Sequence, residues 1–239
     1  TGKDNTIRVY SKLVSSESYT LIGETRLNRR GTIEANGGRP DITESNGVAH
    51  TVWHDDGGGF QRLFYASTDA SVEDDKYSKW TYPVCVVSDA FGAAHPSIAA
   101  DSENRVFIAY ESQRNDGTDI GFVMKNRFGW SSPRTLVAAS LRSKNPKIAI
   151  DSADHLHLVW EDYRNQNPQI YYAKRNGSTG EWSEPVKLTS ETFGAVRPSI
   201  DCDDTKVYVS YTSQASNGTS SICGFYQNAG IWSSKVIFS

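Results

Sequence analysis

Asn145-Pro-Lys-Ile-Ala-Ile-Asp-Ser-Ala-Asp-His-Leu-His-Leu-Val-Trp-Glu-Asp-Tyr-Arg164, with Gln169-Ile-Tyr-Tyr-Ala-Lys174 and Trp182-Ser-Glu-Pro185 after it, is one unit of a repeat. Its opening form, x-Pro-x-Ile, returns at Arg39-Pro40-Asp41-Ile42, His95-Pro96-Ser97-Ile98 and Arg197-Pro198-Ser199-Ile200, and the four prolines are 56, 50 and 52 residues apart. A second landmark follows each proline: the aromatic that closes an apolar run, at Trp53, Tyr110, Trp160 and Tyr211. The third is Trp80, Trp130, Trp182 and Trp232, three of them followed by x-x-Pro. Three landmarks in the same order, four times over, define repeated structural units.

Each unit reads as four short strands, A to D. Proline is tolerated at the start of strand A, where no ladder donor is needed. A polar turn such as Asp151-Ser152-Ala153-Asp154 leads to strand B, Leu156 to Trp160, and a loop rich in Gly, Asn and Asp leads to strand C, Gln169 to Lys174. Strand D begins near the repeated Trp. Nothing between these segments has helical periodicity or length. Four strands in about 50 residues predict an all-β fold of four-stranded antiparallel blades, a β-propeller, in which blades bury faces that no isolated blade could.

The expected blades run over 39–92, 93–142, 143–194 and 195–239, in one propeller domain over 1–239. Residues 1–38 read as half a blade: Ile7 to Lys12 resembles strand C, and Tyr19 to Ile22 resembles strand D. The alternatives are five blade positions with a thin first blade, or the C-terminal piece of a six-bladed propeller.

Composition narrows the partners. The 239 residues carry 25 Lys plus Arg against 28 Asp plus Glu, a net charge of −3, so no basic field draws the chain onto nucleic acid or anionic lipid. No run of eighteen apolar residues, the length that crosses a membrane as a helix, occurs, and Thr1 to Arg8 is too polar for a signal-peptide core. Cys85, Cys202 and Cys223 have neither disulfide-scaffold nor zinc spacing, so no metal and no cofactor is expected; Cys202 and Cys223 either pair or pack as free thiols. Asn176-Gly177-Ser178 and Asn217-Gly218-Thr219 are turn sequences that also fit glycosylation acceptors. A secreted or cell-surface location is the expectation.

Propeller geometry places the residue before each x-Pro on the same face as the residues after each strand B aromatic. That face would carry Arg39, His95, Asn145 and Arg197 from the strand A entrances, and His54, Asp55, Asp56, Glu111, Arg114, Glu161, Asp162, Tyr163, Arg164 and Gln214 from the strand B exits. Guanidiniums bind carboxylates in bidentate fashion, and aromatic faces stack on the apolar side of a sugar ring. The candidate ligand-binding residues are therefore Arg39, His54, Asp55, His95, Glu111, Glu161, Asp162, Arg164 and Arg197, the alternative being ion pairs that hold neighbouring blades together. The repeated Trp residues are expected to pack between blades.

The unit from Asn145 to Pro185 resembles the BNR-type repeat of sialidase-like propellers over four blades. The hallmark Asp-box turn of that group, between strands C and D, is eroded: its Ser, Asp and Gly positions hold Arg175, Gly177 and Thr179 before Trp182. What the resemblance implies for a sialidase is an arginine clamp drawn from Arg39, Arg164 and Arg197, an acid at Asp55 or Asp56, and a Tyr110 or Tyr211 nucleophile assisted by Glu161. The leading expectation is a non-catalytic, lectin-like propeller that binds a glycan or glycoprotein. The alternatives are a sialidase- or arabinanase-like glycoside hydrolase, and a protein-interaction propeller.

Overall fold

The computed structural model describes residues 7–11, 20–25, 38–55, 60–69, 80–81, 83–88, 91–138, 141–165 and 167–238, and no helix occurs among them. Ile7–Ser11 and Thr20–Thr25 form an antiparallel hairpin, the described part of the expected half blade. Four antiparallel sheets follow in chain order.

Blade 1 is built from Gly38–Ser45, Val48–Asp55, Arg62–Asp69 and Val84–Val87. Blade 2 comprises Ala93–Ala100, Val106–Arg114, Gly117–Asn126 and Arg134–Val137, and blade 3 comprises Ser143–Ile150, Leu156–Asp162, Gln169–Arg175 and Val186–Lys187. Blade 4 comprises Ala195–Cys202, Lys206–Gln214, Ser220–Asn228 and Val236–Phe238. In each, strand A pairs with B, B with C and C with D.

Strand A begins earlier than the x-Pro pair, by two residues in blades 2 to 4. The reason is a β-bulge at the motif itself: the ladder shifts register between Gly38 and Asp41, Ala94 and Ser97, Lys144 and Lys147, and Val196 and Ser199. The proline has no N–H to give, and the residue before it is left-handed, with φ of 51° at Arg39, 49° at His95, 49° at Asn145 and 55° at Arg197. A bulge adds one residue and re-aims its side chain. Side chains with a Cβ avoid this region, and a following proline normally drives its predecessor into extended backbone. Four repetitions of so disfavoured a conformation make the strand A entrances strained positions common to all four blades.

Apolar side chains fill the spaces between blades. Tyr65, Val106, Ile108 and Val123 share the layer between blades 1 and 2; Phe107, Leu158 and Trp160 the layer between blades 2 and 3; Val159, Ile170 and Val209 the layer between blades 3 and 4. Three of the four repeated Trp residues pack across these boundaries as expected, while Trp80 packs against Trp53 and Ala66 of its own blade. Trp130 meets Tyr65 of the preceding blade edge-on at 4.9 Å between ring centres, Trp182 meets Phe122 at 5.5 Å and Trp232 meets Tyr172 at 5.0 Å. Edge-to-face pairs of this kind add to the area they bury.

The residue after each Trp has its own repeated role. Ser131 donates its N–H to the Met124 carbonyl at 2.8 Å and accepts the Met124 N–H on Oγ at 3.1 Å. Thr81 with Ser67, Ser183 with Lys174 and Ser233 with Tyr226 repeat the exchange. These reciprocal pairs fix each Trp against the end of strand C.

At the opposite end of the blades, Asp101, Asp151 and Asp203 each accept two backbone N–H groups within the A–B turn. Adjacent turns are joined as well: Ser102 donates to Asp154 from its N–H at 3.0 Å and its hydroxyl at 2.7 Å. The Asp-centred turn of this chain thus lies between strands A and B. Cys202 and Cys223 are free thiols in strands A and C of blade 4.

Candidate functional site

The left-handed residues at the strand A entrances come together. Arg39 Nη1 donates to Asn145 Oδ1 at 3.3 Å, although the two stand 106 residues apart in blades 1 and 3. His95, from the blade between them, lies edge-on to His54 at 5.7 Å and places Nδ1 at 2.7 Å from Glu111 Oε1. Arg39 and Arg197 are exposed, while His95 and Asn145 are half-buried. Two guanidiniums, an imidazole and an amide therefore form the upper layer of a mouth where the blades converge.

A lower layer of buried side chains holds this one in place. His54, Glu111 and Glu161 each follow the strand B aromatic of their blade and are buried. Each receives the backbone N–H of the left-handed residue in the next blade: His95 donates to His54 Nδ1 at 3.4 Å, Asn145 to Glu111 Oε1 at 2.8 Å and Arg197 to Glu161 Oε1 at 2.6 Å. His54 thus accepts on Nδ1 in this latch. The bulge frees a backbone donor from the ladder, and the neighbouring blade supplies the acceptor it requires.

Glu161 is further engaged. Its Oε1 also accepts from Asn145 Nδ2 at 2.7 Å and its Oε2 from the Tyr163 hydroxyl at 3.1 Å. Burial, followed by the nearby charge and hydrogen bond of Glu161, pushes the Tyr163 phenol up to about 12, so it remains a donor. Asn145 is thereby tied to both carboxylates, through its backbone to Glu111 and through its side chain to Glu161.

The remaining sequence candidates divide. Asp162 and Arg164 bind one another in a bidentate pair, Nε to Oδ1 at 2.8 Å and Nη2 to Oδ2 at 2.6 Å, with the guanidinium also over the Tyr171 ring at 4.5 Å. Burial acts to raise the Asp162 carboxyl, but hydrogen bonds from Arg164 and Trp160 outweigh it and hold the group below its usual value. Asp55 is buried at the end of strand B in blade 1, opposite Arg62 in the ladder. Asp56 lies outside the described residues.

Arg114 forms ion pairs with Asp116 at 3.2 Å and Asp119 at 3.3 Å and donates to the Leu141 carbonyl at 3.0 Å. Tyr110 and Tyr211 are both buried. Tyr211 donates to Glu191 Oε1 at 2.8 Å, and burial and that carboxylate hold its phenol well above the ordinary tyrosine value.

In blade 4 the position after the strand B aromatic is Thr212, and here the surface opens. Thr212, Arg197, Gln214, Thr219 and Phe193 contribute to a cleft of about 460 Å³ on the same face as the mouth. It combines a guanidinium, an amide, hydroxyls and one exposed aromatic ring.

No protein-family model matches the chain, and no curated relative matches it in sequence. Solved structures do match it in shape. An α-L-arabinofuranosidase from Podospora anserina is 17% identical with a TM-score of 0.50, over 82% of this chain and 66% of its own length. An exo-1,5-α-L-arabinanase from a bovine ruminal metagenomic library is 18% identical with a TM-score of 0.51, over 84% of this chain and 77% of its own. A polysaccharide lyase, an ulvan lyase, is 13% identical with a TM-score of 0.58, over 86% of this chain and 59% of its own. The chain thus spans just under two thirds of the first of these and less of the lyase. At such identities the likeness concerns the fold, which is that of glycoside hydrolase and lyase propellers; it does not single out the sialidase group.

Proposed function

We propose that this propeller is a carbohydrate-binding protein whose ligand is an anionic sugar held at the axial mouth by Arg39 and Arg197. The observation that carries the reading is the mouth itself: two exposed guanidiniums, with His95 and Asn145, held in left-handed backbone above buried carboxylates. Backbone strain of this kind is maintained when the side chains it aims do something that relaxed ones would not. Guanidiniums favour planar oxyanions, so the sugar carries a carboxylate or a sulfate. Binding takes precedence over catalysis because three of the four carboxylate oxygens beneath are already engaged: Glu111 Oε1 by the Asn145 N–H, and both oxygens of Glu161 by Asn145, Arg197 and Tyr163.

The test is a glycan microarray carrying uronic, sulfated and neutral saccharides. Signal confined to the anionic ones supports the proposal; uniform signal, or none, refutes it.

A second reading, a glycoside hydrolase, is favoured by one feature: Glu111 and Glu161 both bond to the same Asn145, so two buried carboxyls flank one residue, and glycoside hydrolysis uses a pair of carboxyls. Solved neighbours that carry hydrolase names share the fold and so keep this reading in view. Release of reducing ends from an anionic or arabinan polymer, lost in Glu111→Gln and Glu161→Gln, would establish it in place of simple binding.

A further inference from the structure

A second repeated feature surrounds the mouth. In blades 2 to 4 a large apolar side chain stands four residues before the left-handed residue: Phe91 before His95, Leu141 before Asn145, Phe193 before Arg197. They are 52%, 49% and 49% exposed. One exposed apolar side chain needs no explanation, but the same station exposed in three successive blades is a pattern.

The turns that carry these side chains are fixed from two sides. Gly92 and Gly194, which follow the two Phe residues, have φ of 106° and 113°. Their carbonyls accept the N–H of Gln113 at 2.9 Å and of Gln214 at 3.0 Å. The residues after them donate into the previous blade, Ala93 to the Gln61 carbonyl at 2.8 Å and Ala195 to the Pro168 carbonyl at 2.7 Å. A Cβ on Gly194 would meet Pro168 at 2.9 Å and Gln214 Oε1 at 3.1 Å, so the approach is closed to larger residues. Phe193 is held out on a rigid turn.

Blade 4 joins this aromatic ring to the mouth. Phe193 and Arg197 line the same cleft of about 460 Å³, with Gln214, Thr212 and Thr219 as hydrogen-bonding groups. An aromatic face beside amide and hydroxyl groups is what a sugar ring, apolar on one side and hydroxylated at its edge, presents for recognition. A monosaccharide clamped at the axis leaves this cleft unused.

We infer that the cleft on blade 4 is a second sugar subsite with Phe193 as its stacking platform, so that the ligand is an extended anionic polysaccharide lying from the mouth outward across blade 4. This rests on the anionic-sugar reading above and adds the length and direction of the chain. Arg197 belongs to both subsites and sets their spacing.

Calorimetric titration of a length series tests it: oligogalacturonates of one to six residues for the carboxylate source, sulfated dextran oligomers for the sulfate source, and neutral xylo-oligosaccharides of matching length. The wild-type protein should bind one anionic series with affinity rising about tenfold from one residue to four. Phe193→Ala should flatten that rise to within about twofold while leaving the monosaccharide unchanged, and Phe193→Trp should preserve it. Phe91→Ala, an exposed aromatic removed from another blade, should leave the series as it is. Binding that does not grow with length, or a Phe193→Ala loss equal at every length, overturns the subsite while leaving the mouth intact. Equal binding of neutral and anionic oligomers, or no binding of any, instead overturns the reading of the mouth, and the subsite falls with it.

Discussion

The backbone N–H of Asn145 meets Glu111 Oε1 at 2.8 Å across the boundary between blades 2 and 3. The same latch recurs from Arg197 to Glu161 and, through an imidazole, from His95 to His54. The carboxylates below the mouth are thus parts of the blade interfaces as well as its electrostatic floor. A buried donor that loses its acceptor costs about 1–3 kcal/mol, and more when a charged group is involved.

Glu161→Ala strips the acceptor from Arg197 N–H and Asn145 Nδ2 together and should lower stability by about 2–4 kcal/mol. Glu161→Gln keeps one carbonyl oxygen and should lose less than half as much. Urea unfolding followed by tryptophan fluorescence measures both; equal losses in the two variants would show that the acceptor is unimportant.

Arg197→Gly separates strain from recognition. Glycine adopts φ near 55° without a Cβ penalty, and the backbone N–H remains to bond Glu161. The variant should match or exceed the wild-type melting temperature and yet bind anionic saccharide weakly. A melting temperature well below wild type would mean that the Arg197 side chain is a structural brace.

Trp182→Ala opens the layer between blades 2 and 3 where the indole meets Phe122 edge-on. The loss should be about 3–5 kcal/mol, in the range of large aromatic truncations. Gly121→Ala attacks a neighbouring part of blade 2: its Cβ would fall 2.3 Å from Cζ of Tyr110, and cross-strand crowding of that order should also destabilise strongly. Thermal denaturation reads both, and a neutral outcome for either would contradict the packing described.

Acid should weaken the boundary between blades 1 and 2 through His50. This buried imidazole, with Nδ1 2.7 Å from the Tyr65 hydroxyl, is lowered to about 4, first by burial and then by the Lys125 charge. Because the folded value is depressed, the neutral form stabilises the fold above the unfolded value of about 6.5, and that contribution is lost as pH falls from there to about 4. His50→Gln should reduce the pH dependence of the melting temperature in this window; an unchanged slope would count against the assignment.

The sequence made the blades visible because their markers have no substitutes. A proline at each bulge and a Trp at three interblade contacts recur at blade spacing; those three Trp residues pack as the repeat predicts, whereas the prolines mark a bulge inside strand A and not its first residue. The latches were harder to read. Glu111 and Glu161 stood out as charged rim residues, but their role depends on an N–H that lies 34 and 36 residues away in the next blade. The left-handed backbone was also hidden, since Arg and His before proline argue against it locally. Arg164 read equally well as a clamp or an ion pair, and only its bidentate contact with Asp162 shows where its hydrogen bonds go. Phe91 and Phe193 passed as ordinary apolar residues because exposure has no local signature.

The most direct measurement of the central claim is isothermal titration of an anionic oligosaccharide into the wild-type protein and into the Arg39→Ala/Arg197→Ala double variant, each at low and moderate salt. The mouth as described predicts saturable binding that weakens with salt in the wild type and at least about a tenfold loss in the folded double variant. Equal affinity in the two proteins, or binding indifferent to salt and to the charge on the sugar, would contradict it.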